Sequence, residues 1–250
     1  MRMLQSNGEL DAEDLEAAYA YPAERTWTRL NFVTSLDGST TDARGRAGGL
    51  SSKDDQRVFH LLRSMADVIV VGAGTARAEG YARVEPDEVD ADLRSRLGLA
   101  PLPLIAVVSR SLDLPPDLVA GPRESATTLV VTCAAAPTDR LAAVREHADV
   151  LVCGDEGVDH RTLREELAGR GLRRILCEGG PALAGSQAAA GVLDEVCLTV
   201  RPQLLAGPAT RFATGALLDP VLELRLVHAI AGDDDLLLRY VSRSVDRVRP

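Results

Sequence analysis

The sequence predicts an open α/β fold built on a mostly parallel sheet. Short runs of Val, Ile, Leu and Ala alternate with amphipathic or Ala-rich segments of helical length. Aromatic residues make up only 3% of a chain that is 46% apolar, so the core must come from aliphatic side chains, as it does in parallel strands buried on both faces. The final apolar runs follow each other through a tight turn, which adds an antiparallel hairpin.

The elements follow in order. Asp11 to Tyr19 is acidic and mildly helical, and Pro22 ends it. Residues 1–25 therefore read as an N-terminal extension, a surface helix or partly ordered arm, ahead of one domain over 26–250. Arg29 to Leu36 is a strand closed by Asp37-Gly38. A loop containing Gly45, Gly48 and Gly49 leads to Ser51-Ser52, either of which can cap a helix running to about Arg63. Asp54 and Asp55 in its first turn complement the helix dipole. Asp67 to Val71 is a strand, and Gly72-Ala73-Gly74-Thr75 opens a short helix. Residues 80–102 are polar, acidic and marked by Pro86 and Pro101, which reads as an irregular excursion. Strands follow at Leu104–Ser109, Leu129–Cys133, Asp149–Cys153, Arg174–Cys177 and Glu195–Val200. Helices lie between them, from Pro137 to about His147, from Arg161 to Arg170, and from Pro181 to about Ala190. Leu222–Ile230 and Asp235–Val241 form the hairpin.

A net charge of −9 argues against nucleic acid or an anionic membrane surface as the main partner. No apolar run of about 18 residues is present, so no helical membrane span is expected. Cys133, Cys153, Cys177 and Cys197 sit singly in apolar runs and read as buried free thiols of a reducing, cytoplasmic compartment. Zinc-deaminase, GxSxG, HExxH and Walker patterns are absent, and the four histidines are scattered, so neither a metal nor a histidine-based mechanism is expected.

In an open parallel sheet, ligands bind beyond the carboxyl ends of the strands. Five such places hold chemistry. Asp37-Gly38 is either a plain turn or an acid able to bind a hydroxyl or move a proton. Gly72-Ala73-Gly74-Thr75 can face a phosphate, although Arg77 stands where a GxGxxG fingerprint needs its third glycine. Ser109-Arg110 suits a 2′-phosphate. Cys177-Glu178-Gly179-Gly180-Pro181 ends a strand in a carboxylate, removes side-chain obstruction and starts a helix, whose N–H groups favour an anion. Arg63, Arg77 and Arg83 are possible clamps for a substrate phosphate, with a solvated arginine the plain alternative.

Together these segments resemble the carboxy-terminal reductase domain of bifunctional riboflavin-biosynthesis proteins. The matching stretches are Asn31 to Gly38, Leu50 to Arg63, Ala66 to Thr75, Ser109-Arg110, Leu176 to Gly185, Gly191 to Glu195, Pro202, and Leu205 to Gly207, in order over about residues 28–242. The resemblance implies a dihydrofolate reductase-like fold, with a mostly parallel central sheet, helices on both faces and an antiparallel C-terminal hairpin. It implies NADPH held by Gly179, Gly180, Pro181, Ala182 and Leu183, with Gly74, Thr75, Thr34, Ser109 and Arg110. Substrate contacts fall on Arg63, Glu178 and Arg83, with Asp37 assisting proton delivery. The implied reaction is reduction of the ribose of a 5-amino-6-(5-phosphoribosylamino)pyrimidine to the ribityl form, by a homodimer. A dihydrofolate or pterin reductase of the same fold, and a non-catalytic NADPH-binding protein, are the alternatives. Two departures bear on the substrate. Gly49 replaces an aromatic before the Ser-Ser pair, and Ala78-Glu79-Gly80-Tyr81 replaces an Asp-Asp-Pro.

Overall fold

A computed structural model describes residues 8–120 and 128–246. Nine strands form one sheet in the spatial order β5-β4-β3-β2-β6-β1-β7-β9-β8. They are β1 (Trp27–Ser35), β2 (Val68–Gly72), β3 (Leu104–Val108), β4 (Thr128–Thr132), β5 (Asp149–Val152), β6 (Arg174–Cys177), β7 (Glu195–Arg201), β8 (Leu224–Ala231) and β9 (Leu236–Ser242). Strands β1 to β7 pair in parallel, while β9 runs antiparallel to both β7 and β8. The α/β class, the parallel centre and the C-terminal hairpin are as the residue pattern predicted.

Period-2 alternation divides the core into two layers. Ile69, Val71, Ile105, Val107 and Val130 face one side, where Val58 and Leu62 of helix α2 (Lys53–Ser64) pack. Val68, Val70, Ala106, Leu129 and Val131 face the other. There they meet Leu163 and Leu167 of α6 (His160–Gly169) and Leu183 and Ala184 of α7 (Pro181–Ala189). Covering both faces is what required the unbroken aliphatic runs. The remaining helices are α1 (Ala12–Ala18), α3 (Ala73–Glu79), α4 (Ala91–Arg96), α5 (Thr138–Arg145) and the short α8 (Arg243–Asp246). All four cysteines are buried and free. Among the described residues, no helix is long and apolar enough to cross a membrane.

The structure departs from the sequence reading in two places. Residues 80–102 are not wholly irregular, because Asp90 caps helix α4. Its Arg94 is fully buried and donates to the carbonyls of Arg63, Ser64, Ala66 and Ala100. The first three of these carbonyls lie at or just beyond the end of α2, so α4 fixes the helix that carries Arg63. Helix α1 does not stand off as a surface arm. Its Leu15 and the following Tyr19 are buried in the core layer that contains α2.

The ties of α1 are electrostatic as well as apolar. Glu195 at the start of β7 is fully buried. It accepts from Arg29 Nε at 2.6 Å, Trp27 Nε1 at 2.7 Å and Arg239 Nε at 2.8 Å. The same arginines donate onward to the carbonyls of Tyr19 and Ala18. Burial alone raises the Glu195 pKa, but Arg29 and Arg239 more than reverse this and hold it at about 2. A folded-state pKa below the unfolded one adds stability that is complete above the usual carboxylate range and is lost on acidification. Stability is therefore expected to fall as the pH is lowered through that range towards 2. Glu195→Ala, which leaves two buried guanidinium groups without their carboxylate, is expected to cost about 3–5 kcal/mol in denaturant unfolding at neutral pH. A loss below about 1 kcal/mol would show that water replaces the carboxylate and that the cluster is not a constraint.

Candidate active site

A cavity of about 500 Å³ opens at the carboxyl ends of β1 and β6. Strand β1 supplies Asn31, Phe32 and Val33, and the loop after it Thr40, Thr41, Ala47 and Gly48. Helix α2 lays one face along it, with Asp55, Gln56, Phe59 and Arg63. The far wall is Gly74, Thr75, Ala78 and Glu79 of α3, then Tyr81, Glu88, Glu178, Gly180 and Pro181. Thr210, from the long β7–β8 connection, closes the mouth and is joined to Thr40 by a hydrogen bond to its carbonyl.

Two glycine turns form the floor. The Gly72 N–H donates to the Gly179 carbonyl at 2.7 Å, which locks the ends of the neighbouring strands β2 and β6 together. Gly179 has φ +95° and packs on Phe32, and the Gly179–Gly180 peptide is cis. A Cβ on Gly180 would collide with the Thr75 hydroxyl. Backbone thus meets backbone here because side chains are missing, and the starts of α3 and α7 flank the gap. This is an arrangement that accepts phosphate groups. Ser109 and Arg110 follow β3, one strand further along. Ser109 is buried and its hydroxyl accepts the Leu112 N–H at 3.0 Å, while Arg110 is exposed. Gly74, Thr75, Gly179, Gly180, Pro181, Ala182, Leu183, Ser109 and Arg110 therefore share one rim across β3, β2 and β6. Thr34 is buried within β1 and does not line the cavity.

Arg63 and Glu178 are brought together directly. The guanidinium donates to both carboxylate oxygens, at 2.8 and 2.7 Å, and to Glu88 at 2.6 Å. The Tyr81 hydroxyl donates to Glu178 at 2.6 Å, and the guanidinium lies over the Phe59 ring at 4.4 Å. Burial lowers the Arg63 pKa, but Glu178 more than compensates and the net shift is upward. Burial, then the Glu178 charge, raises the Tyr81 pKa, so the phenol stays protonated. The result is a closed network in the cavity wall, one guanidinium held between two carboxylates, not an open cation.

Like Thr34, neither Asp37 nor Arg83 is brought to the cavity. Asp37 is exposed; its carboxylate accepts the Ser35 hydroxyl and the backbone N–H groups of Leu205 and Ala206. Those bonds, Ser35 first, lower its pKa. It anchors the start of the β7–β8 connection beside the site. Arg83 is exposed and pairs with Glu85 at 3.4 Å.

Other lining residues had escaped notice. Tyr81 lies where the sequence departs from the family pattern, and Glu88 in the stretch read as irregular. In the sequence, Asp55 reads only as a complement to the helix dipole. It is buried against the cavity, where it accepts the Ser51 hydroxyl at 2.5 Å and that of Thr199 on β7. Burial raises its pKa. A carboxylate followed four residues later by an aromatic on the same helix face, Asp55 then Phe59, was the available signal.

The family described as RibD C-terminal domain matches residues 26–238. The chain belongs to this family. The 2,5-diamino-6-ribosylamino-4(3H)-pyrimidinone 5′-phosphate reductase of Methanothermobacter thermautotrophicus is 30% identical, over 86% of this chain and 98% of that protein. The riboflavin biosynthesis protein RibD of Mycobacterium tuberculosis is also 30% identical, over 74% of this chain but 44% of that longer protein. Among solved structures, a pyrimidine reductase-like protein from Corynebacterium diphtheriae superposes with a TM-score of 0.72 at 25% identity, covering 91% of this chain and 98% of that one. The family read from scattered motifs over about 28–242 is the one that matches.

The floor makes a direct prediction. Gly180→Ala is expected to destabilise the fold by about 1–3 kcal/mol. Adding Thr75→Ala removes the colliding hydroxyl, leaves the Thr75 Cβ at 3.6 Å, and should restore most of the loss. Additive losses in that double-mutant cycle would refute the contact.

Proposed function

We propose that this chain is an NADPH-dependent reductase of riboflavin biosynthesis. It reduces the ribose of a phosphorylated 5-amino-6-ribosylaminopyrimidine to the ribityl form. The observation that carries this reading is the junction of the glycine floor and the Arg63–Glu178 network in one cavity. It occurs in a chain collinear with nearly all of an archaeal 2,5-diamino-6-ribosylamino-4(3H)-pyrimidinone 5′-phosphate reductase.

On this reading the cofactor runs along the rim. Arg110 and Ser109 would hold its 2′-phosphate, and Gly74, Thr75 and the Gly179–Leu183 turn its pyrophosphate. When bound, NADPH supplies the hydride. The protein supplies alignment, holding C1′ of the ring-opened ribose against the nicotinamide edge. Glu178 accepts hydrogen bonds from substrate hydroxyl or amine groups. Arg63 and Tyr81 fix its orientation. The buried network also excludes water from the reacting carbon.

The reading includes a homodimer. Strand β8 is one free edge of the sheet, and Leu217, Val221, Leu226 and Val227 are exposed on or just before it. A cytoplasmic location accords with the four free thiols.

The test is NADPH consumption with the deaminated and non-deaminated pyrimidine-ribose phosphates offered separately, with NADH and dihydrofolate as controls. Turnover of a pyrimidine with NADPH is expected to exceed both controls. Arg110→Ala should raise the KM for NADPH about tenfold or more and leave that for NADH unchanged, through loss of one charge-assisted contact. Saturable NADPH binding without turnover of either pyrimidine, or faster turnover of dihydrofolate, overturns the reading.

A further inference from the structure

The cavity is unusually rich in carboxylates for a site that receives a phosphorylated ligand. Asp55, Glu79, Glu88 and Glu178 line it, and Arg63 is the cation that lines it beside them. Three of these acids already have N–H partners. Glu178 and Glu88 hold Arg63, and Glu79 accepts the Ala47 N–H at 2.8 Å. Asp55 is different. The hydrogen bonds to its carboxylate come from two hydroxyls, Ser51 and Thr199, which leaves lone pairs free for further donors.

Its surroundings hold it still. Asp55 is in the first turn of α2, capped by Ser52, whose hydroxyl also bonds Asp235, the residue just before β9. Asp235 is in turn paired with Arg201 of β7, so the negative charge beside Asp55 is already balanced. One helical turn on, the Phe59 ring lines the same cavity. A fixed carboxylate with an aromatic plate four residues away is suited to a flat heterocycle that offers two parallel N–H donors.

We propose that Asp55 reads the Watson–Crick-like edge of the substrate pyrimidine and thereby selects the ring that has not been deaminated. This rests on the pyrimidine reading above. The 2-amino-4-oxo ring presents its 2-NH₂ and N3–H side by side, and a carboxylate accepts both. The deaminated ring presents a C2 carbonyl beside N3–H. Its oxygen would face the Asp55 carboxylate, so one donor is replaced by a repulsion. The enzyme therefore acts on the product of ring opening of a guanine-type nucleotide, and the hydrolytic deamination comes after it.

The experiment compares kcat/KM for the two pyrimidine-ribose phosphates in the wild type and in Asp55→Asn. The wild type should prefer the 2-amino ring by at least about tenfold. An amide at position 55 offers one acceptor and one donor, which matches N3–H and the C2 carbonyl. Asp55→Asn should then shift the ratio by at least about tenfold towards the deaminated ring. An unchanged ratio in a folded variant makes Asp55 a structural residue and overturns the proposal, while wild-type turnover keeps the reductase reading intact. If the variant does not fold, the wild type still decides: a ratio near one, or a preference for the deaminated ring, overturns it. Turnover of neither pyrimidine by the wild type removes both readings.

Discussion

The buried Glu195 carboxylate is the constraint on which the central sheet depends. It stands opposite Arg29 in the β1–β7 register, and Arg239 reaches it from β9, opposite Cys197. The two arginines also take the carbonyls at the end of α1. A charge removed from water is tolerated only when its hydrogen bonds are met from fixed directions, so the cluster dictates the relative placing of α1, β1, β7 and β9. With β1 and β7 fixed, Asn31 and Val33, which alternate with Arg29 along the same strand face, are carried to the cavity.

Chain order explains why the cavity lies where it does. Strand β6 is inserted between β1 and β2, although it comes later in sequence. The connection from β1 passes to β2 through α2 on one face, and that from β6 passes to β7 through α7 on the other. Neighbouring strands whose connections leave on opposite faces cannot close the space above their carboxyl ends. Phe32 and Glu178 flank that space. The glycines at 72, 179 and 180 deepen it, because a side chain at either of the last two would fill it or distort the adjoining wall.

Much of this was legible in the sequence. Strand β6 was read residue for residue, because Gly171 and Gly179 bracket one aliphatic run. The glycine turns and Glu178 announced themselves at a strand end. What could not be read were contacts between distant segments. Nothing local distinguishes Arg29 and Arg239, 210 positions apart in numbering, from other surface arginines. Helix α4 is six residues long, too short for periodicity to separate it from the polar stretch around it. Helix α1 buries only Leu15 and the following Tyr19, a stripe that resembles that of a free surface helix. Arg63 is expected from the sequence to contact the substrate, but its pairing with Glu178 spans 115 residues and makes it half of a fixed ion pair instead of an open cation.

That pairing also bears on how the site distinguishes its parts. A guanidinium neutralised by two carboxylates attracts a phosphate weakly, so Arg63 orients Glu178 more than it gathers charge. The anion-accepting character of the site lies instead in backbone N–H groups and in Arg110 at the outer rim, where the cofactor is proposed to lie. On the proposed reading, the carboxylates of the inner cavity would face the ligand that carries amino and hydroxyl donors. The spatial separation of acceptors and donors would then set the polarity of the whole cleft, placing the proposed cofactor's anions along β3, β2 and β6 and the proposed N–H-rich ring against α2. Two ligands of opposite hydrogen-bonding character can then meet end to end without exchanging places, as hydride transfer between them requires.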